Sequence, residues 1–492
     1  MFTTLITLLV LILSNSFAFS SKDAYQNLAR FVKSVPKMQN LKHGQWSIYV
    51  VNTQNGQVIL DVNGEKSLAP ASNLKLLTSA VALSYLGENR RFNTYLEYSG
   101  KIDKDSTLKG NIYIKGEGDP TLGSPQMNDV LSLTELMDQW VKAVKSQGIK
   151  KIDGNIIADD SYLDHMPLPG DWYWEDMGNY YAALTGGLCI NENMYRLYFK
   201  PGKQVGSSAQ VLRTDPIIPG LKFINHMKTG PRGSGDNGFI YGAPWQYIHQ
   251  LEGTIPADVR EFSIKGALPD PAKFTAQSLF NHLEKVKITV TGSASTVREI
   301  RQTDKNRQQF HTITSPSLKE IIYRLNKRSV NLYTEQLLKI LGKEMKGEGT
   351  FQNGIQVIKE WLEDQDIYTQ GLFLHDGSGL SRANGTPTRL FAELLASLTT
   401  SPIFDAYYES LSVAGDPQDI GYMKNMCKGT SAAKNVRAKT GLINRVRAHS
   451  GYVSTKSGKF LSFSMIANDY SGSYRAIDKV HEKIMIQLAE LP

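Results

Sequence analysis

The chain has 492 residues, 41% of them hydrophobic and 21% charged. That composition supports a folded core, exceeds one average domain and excludes a wholly disordered chain. A formal net charge of +8 is spread along the sequence with no block of five or six basic residues, which reads as a solvated surface and not as a nucleic-acid footprint.

Leu5 to Leu13 is an apolar run followed by Ser16-Phe17-Ala18, the pattern of a secretory signal ending near residue 18. The run is too short to span a bilayer, and no later stretch reaches ~18 continuous apolar residues. The expectation is a protein secreted across the inner membrane, with no transmembrane segment in the mature chain. A helix is expected over 21–35. Trp46–Val51 and Val58–Val62 then alternate around Asn55-Gly56, the pattern of a hairpin with a two-residue turn.

Pro70 blocks an earlier helix start, and Leu76, Leu77, Ala80, Val81 and Leu83 follow at helical spacing until Gly87. Ser72 therefore falls at the opening turn of a mostly buried helix. From 93 to 300, short strand-like runs such as Asn111–Lys115 alternate with Gly, Pro and Asp turns, which reads as a β-rich insertion of one or two domains. Ser317 and Glu320 have capping-box spacing ahead of an apolar-periodic helix, and Asn331–Leu341 reads as a second. Arg437–Leu442, Val446–Val453 and Phe460–Ala467 read as strands, with Lys456-Ser457-Gly458 turning between the last two, and a helix covers 476–488. The chain thus divides into a signal (1–18), a first part of the main domain (19–92), the insertion (93–300) and a second part (301–492).

Cys189 and Cys427, the only cysteines, lie far apart. They read as buried apolar residues, and the sequence leaves open whether they pair. No HExxH or comparable His cluster occurs, so no metal and no cofactor are expected.

Three short patterns carry chemistry. Ser-x-x-Lys occurs at Ser72/Lys75, and also at Ser34/Lys37, Ser106/Lys109 and Ser431/Lys434. Only the first stands at a helix start, where residues three apart share a face and outward backbone N–H groups favour a developing negative charge. A serine hydroxyl needs a base to become a nucleophile. A lysine serves only when neutral, far below its ordinary pKa of about 10.4, a shift that burial and a neighbouring cation such as Lys439 promote. Ser-x-Asn occurs at Ser329-Val330-Asn331, where Ser329 could relay a proton and Asn331 could hold a substrate amide. The ordinary alternative is a helix cap. Lys439-Thr440-Gly441 opens the strand series, where Gly441 allows close backbone approach and an edge strand can pair with an extended peptide. A second Lys-Thr-Gly, at Lys228-Thr229-Gly230, precedes Ser329 and runs into Pro231; it is set aside as a chance match.

Ser72-x-x-Lys75, Ser329-x-Asn331 and Lys439-Thr440-Gly441, in that order, resemble the penicillin-binding and serine β-lactamase superfamily. Pro70–Lys75, Gly116–Leu122, Asp159–Tyr162, Trp172–Asp176 and Asp376–Arg382 look like the class C low-molecular-mass penicillin-binding proteins, the DacB-like D-alanyl-D-alanine carboxypeptidase/endopeptidase (peptidase S13) family. The family places a large insertion between its first two motifs, and here just over half of the chain separates Ser72 from Ser329.

The resemblance implies a mixed α/β (α+β) fold: a transpeptidase/β-lactamase-like α/β sandwich with a large β-rich insertion. Ser72, Lys75 and Ser329 would be catalytic; Asn331, Lys439, Thr440, Gly441 and Leu442 would bind substrate, with the amides of Ser72 and Leu442 as the oxyanion hole. The partners implied are peptidoglycan stem peptides and cross-linked peptides, with β-lactams as covalent inhibitors and the periplasm as location. Oligomeric state is not legible. Two other readings compete: a serine β-lactamase, which would need an efficient deacylating base, and a non-catalytic wall-binding or β-lactam-sensing module. Asp376–Arg382 is expected to border the site without a chemical role. Asp159 is read as a turn residue in preference to an amine ligand, and Arg445 and Arg447 are as readily plain surface charges.

Overall fold

The computed structural model describes residues 23–301 and 304–492; the signal-peptide reading of 1–18 lies outside them. Contacts divide the chain into two compact units. One ends its first segment at Tyr85 and resumes at Ile322–Ser329 and Ile358–Pro492; the other comprises Leu86–Ile321 and Val330–Val357.

The first unit is built on a six-stranded sheet. Its strands are β1 (Gln45–Asn52), β2 (Val58–Val62), β3 (Ser412–Val413), β4 (Arg437–Ile443), β5 (Val446–Ser454) and β6 (Phe460–Asn468). They are ordered β3-β4-β5-β6-β1-β2, every neighbouring pair antiparallel. The period-2 alternation read from the sequence gives each central strand two buried faces. One face carries Trp46, Ile48, Phe463 and Met465 into a core with Leu28 and Val32 of helix α1 (23–34) and Ile477, Ile484 and Leu488 of a C-terminal helix, Tyr474–Ala489. Each such side chain contributes about 1.5–3 kcal/mol on burial. The opposite face packs Tyr49 and Val51 against Ala392 of a helix over Thr388–Leu398, and Tyr452 and Ser462 hydroxyls donate to the carbonyls of Leu395 and Ala392. Helix α2 (Lys75–Leu86) is buried over its first nine residues.

The β1–β2 connection corrects the two-residue turn expected at Asn55-Gly56. The ladder slips between Val50 and Val51, so the strands separate by a five-residue loop. Asn52 Oδ1 accepts from Gln54 N, Asn55 Oδ1 accepts from Gln57 N, and Gly56 takes φ 70°. Side-chain turns of this kind supply the reversal that the dipeptide alone was expected to make.

Among the described residues the second unit carries four small sheets. Its five-stranded sheet is ordered Ala294–Thr296, Ile156–Asp159, Ile112–Gly116, Asn93–Tyr98, Gln308–Thr314. One continuous core joins them, running from Leu96 and Trp140 through Leu197 and Ile255 to Leu279. Val330–Val357, which composition grouped with the second part of the main domain, belongs to this unit. Helix α3 (Asn331–Lys346) is held there by Tyr333 Oη donating to Glu192 Oε1 at 2.5 Å and by Gln336 at the Gly186 carbonyl. Cys189 and Cys427 are buried free thiols, each pushed up to about 12 by burial. No helix among the described residues is long and apolar enough to cross a membrane.

Candidate active site

Pro70 is followed by a single 3-10 turn over Ala71–Leu74 that runs into α2 at Lys75. The three-residue spacing puts the Ser72 and Lys75 side chains on one face. Lys75 Nζ donates to Ser72 Oγ at 3.1 Å and to the Ser378 carbonyl at 2.8 Å. Lys75 is fully buried and Ser72 half-buried. Asn73 ties the turn to the sheet: its Nδ2 donates to Ser450 Oγ at 2.6 Å, and Ser450 donates to Ser464 Oγ at 2.7 Å.

The turn is strained in front of the serine. Ala71 has φ 46°, a left-handed conformation that costs a non-glycine residue on the order of 1–3 kcal/mol. Two glycines accommodate its backbone. A Cβ on Gly379, itself at φ 82°, would stand 1.9 Å from the Ala71 carbonyl oxygen, and one on Gly441 would stand 2.7 Å from that of Pro70. Gly441, expected to admit a ligand backbone, also stands close to the chain's own backbone at Pro70. Through this contact β4 abuts the turn, and the amides of Ser72 and Leu442 each directly follow a residue that takes part in it.

Lys439 on β4 is also buried. Its Nζ donates to Ser329 Oγ at 2.9 Å and to the Thr440 carbonyl at 2.8 Å. Burial first, then the charges of Lys75 and Arg447, hold it well below the usual lysine range. Ser329 is not the N-cap of α3, which is Val330 with no side-chain bond; it follows the helix Leu318–Arg328 at φ 56°. Its hydroxyl is thereby free of the helix and meets Lys439. Thr440 is buried and Leu442 is 46% exposed. Asn331 belongs to the second unit, where its amide donates to the Tyr181 carbonyl at 2.7 Å. The first unit thus pairs Ser72 with Lys75 and Ser329 with Lys439, close enough for the two ammonium groups to feel each other.

Several contributors escaped the sequence reading. Asp376–Arg382 has a role after all, because its Ser378 carbonyl receives Lys75 and its Gly377 carbonyl receives Thr78 Oγ1 at 2.9 Å. The buried Asp376 carboxylate shapes this loop, accepting from Gly379 N at 2.7 Å, Ser381 N at 2.6 Å and Asn384 Nδ2 at 2.8 Å. Its one visible sign was an Asp ahead of two glycines. Arg447 is no surface charge: it is buried, pairs with Asp478 and donates to the Gly441 carbonyl at 3.3 Å. Arg445 is exposed, with Asp469 at 4.0 Å.

Beneath β5 lies a histidine pair. Trp46 Nε1–H donates to His481 Nε2 at 3.0 Å, which leaves the His481 proton on Nδ1, facing His449 Nδ1 at 2.9 Å. Burial, then the Arg447 charge, pushes His481 down to about 3 and holds His449 low as well. In the second unit, Asp159 closes the strand Ile156–Asp159 opposite Lys115 and does not stand in a turn as expected; it is buried, held by Arg307 at 2.7 Å and by Ser161. Lys228-Thr229-Gly230 is a short strand whose lysine is exposed and bonds Ser208 Oγ at 3.2 Å. Among the described residues no group of three His, Cys, Asp or Glu could hold a metal.

A family model described as D-Ala-D-Ala carboxypeptidase 3 (S13) matches residues 25–490. The chain belongs to the S13 family. The D-alanyl-D-alanine carboxypeptidase of an Actinomadura species is 30% identical to this S13 chain over 452 residues, covering 90% of it and 81% of that protein. The D-alanyl-D-alanine carboxypeptidase DacB of Haemophilus influenzae is 24% identical over 464 residues, covering 94% and 91%. The crystal structure of penicillin binding protein 4 from H. influenzae shares the fold at a TM-score of 0.78, with 21% identity over 95% of this chain and 99% of that one. This S13 chain is accordingly a serine-type D-alanyl-D-alanine carboxypeptidase, a hydrolase that acts on peptidoglycan.

Proposed function

We propose that Ser72 is the nucleophile of this carboxypeptidase and Lys75 its base. The observation that carries this is the Lys75 amine, 3.1 Å from the Ser72 hydroxyl and anchored on the Ser378 carbonyl. Facing buried ammonium groups oppose each other's charge, the condition under which a lysine gives up its proton. Ser72 Oγ attacks the carbonyl carbon of the terminal D-Ala-D-Ala bond while its proton passes to Lys75. The oxyanion is received by the amides of Ser72 and Leu442. The C–N bond then breaks, and the departing amine takes a proton through Ser329. Water hydrolyses the acyl-enzyme, returning Ser72. Lys439 and Thr440 bind the substrate's terminal carboxylate.

The same chemistry extends to peptide cross-links, whose scissile amide also follows a D-Ala. A β-lactam offers Ser72 an equivalent carbonyl and stays attached. The apolar run and Ser16-Phe17-Ala18 support action in the periplasm. The test is intact-mass spectrometry with penicillin on the mature protein beside Ser72→Ala. One penicillin bound to wild type alone is expected. No adduct with penicillin intact sinks the assignment, and no adduct with penicillin consumed indicates a β-lactamase.

A further inference from the structure

In the second unit, two cavities of about 520 and 470 Å³ adjoin, sharing Trp245, Asp270 and Arg298 in their walls. Both fall within the range of small-molecule sites, which run from about 300 to 1,000 Å³. Trp245 is 40% exposed although it lines both. Its backbone is at φ 63°, held there by its N–H donating to the Pro269 carbonyl at 2.8 Å. A bulky residue in that region is an outlier, and an aromatic ring held open at a strained position is a feature of binding sites more than of packing.

The cations that line the cavities are all paired, and Arg298 faces two carboxylates, so the walls carry an excess of negative charge. Arg298 stands 4.9 Å from the Trp245 ring centre and pairs with Asp160 at 3.4 Å and with Asp270. Lys273 pairs with Glu299 at 2.7 Å. With its cations neutralised, the lining suits an uncharged ligand and not a phosphate or nucleotide. Tyr247 and Gln277 add further polar edges beside the aromatic face. An aromatic plane rimmed by hydrogen-bonding groups matches a pyranose, which has an apolar C–H face and a polar rim.

We propose that Trp245 marks a saccharide site that takes the amino-sugar strand of peptidoglycan, two adjoining compartments receiving consecutive sugars. This rests on the proposed function, because that strand carries the stem peptides.

The test is calorimetry of the mature chain with uncharged N-acetylglucosamine oligomers, on wild type, Trp245→Ala and Trp245→Tyr. Glycan binding that weakens about tenfold in Trp245→Ala and stays within about threefold in Trp245→Tyr is expected. Absent binding in wild type, or equal binding in Trp245→Ala, overturns the site. Penicillin acylation reports folding of each variant. If Trp245→Ala does not fold, Gln277→Ala decides: weaker glycan binding supports the site and unchanged binding rejects it. D-Ala release from a soluble stem peptide is measured alongside and is expected to be equal in all variants. Its absence in wild type would reject the proposed function whatever the glycan result.

Discussion

Replacing Asp376 with alanine removes the carboxylate that accepts hydrogen bonds from Gly379 N, Ser381 N and Asn384 Nδ2. Bonds to an ionised group are worth about 1.5–3 kcal/mol each. Their simple sum is an upper bound, because they share one acceptor and water can enter the gap. A loss of about 4 kcal/mol in unfolding free energy is therefore expected, read as a lowered urea midpoint at unchanged slope. The functional effect comes through Ser378, whose carbonyl receives Lys75 2.8 Å away. A base displaced by about 1 Å costs on the order of 10²-fold in rate. Penicillin acylation, followed by intact mass under conditions where the variant is fully folded, should slow by about that factor. If stability falls while acylation of folded protein keeps the wild-type rate, the loop does not position Lys75 and the reasoning fails.

Gly441→Ala would set a Cβ 2.7 Å from the Pro70 carbonyl oxygen and 3.2 Å from Ala71 Cβ. Because the obstacle is backbone, β4 or the turn must shift, at about 1–3 kcal/mol, and acylation should slow by tenfold or more, to about the level of other misplacements of reacting groups; wild-type acylation would exclude the tight contact. His481 titrates at about 3 in the fold against 6.5 in the unfolded chain. The unfolded chain therefore takes the proton first as pH falls, so this contribution is complete above pH 6.5 and is lost toward pH 3, on the order of 5 kcal/mol in all. Asp119, raised by burial to about 6, acts oppositely over an overlapping window. The check is accordingly the difference between His481→Gln and wild type: the variant should lose less stability between pH 6.5 and 4, and parallel profiles would contradict the buried neutral assignment.

The strand series at the C-terminus and the helix after Ser72 were legible because each is amphipathic or apolar over many residues, and β4, β5, β6 and α2 fall where periodicity put them. The pairing of Ser72 with Lys75 was readable as a motif because the two residues are local. Ser329 and Lys439 are 110 residues apart, and only their order in a familiar set joined them. The Ser378 carbonyl was invisible for a different reason: its contribution is a backbone atom, aimed by a side chain two residues earlier. Arg447 was misjudged because alternation puts an arginine on a face without saying that the face is covered. The loop after β1 escaped because a register slip depends on the partner strand.

The outer side of β4 carries a conflict between durability and access. Among the described residues its strand partner there is β3, which pairs Ser412 with Ala438 and Val413 with Arg437 and then stops. A longer β3 would saturate the backbone of Lys439–Ile443 and seal a raw margin of the kind that invites stray chains to associate. It would also occupy the place where an extended peptide could lie. An insertion that lengthened β3 would thus yield a hardier and less aggregation-prone protein that had surrendered the open edge of β4.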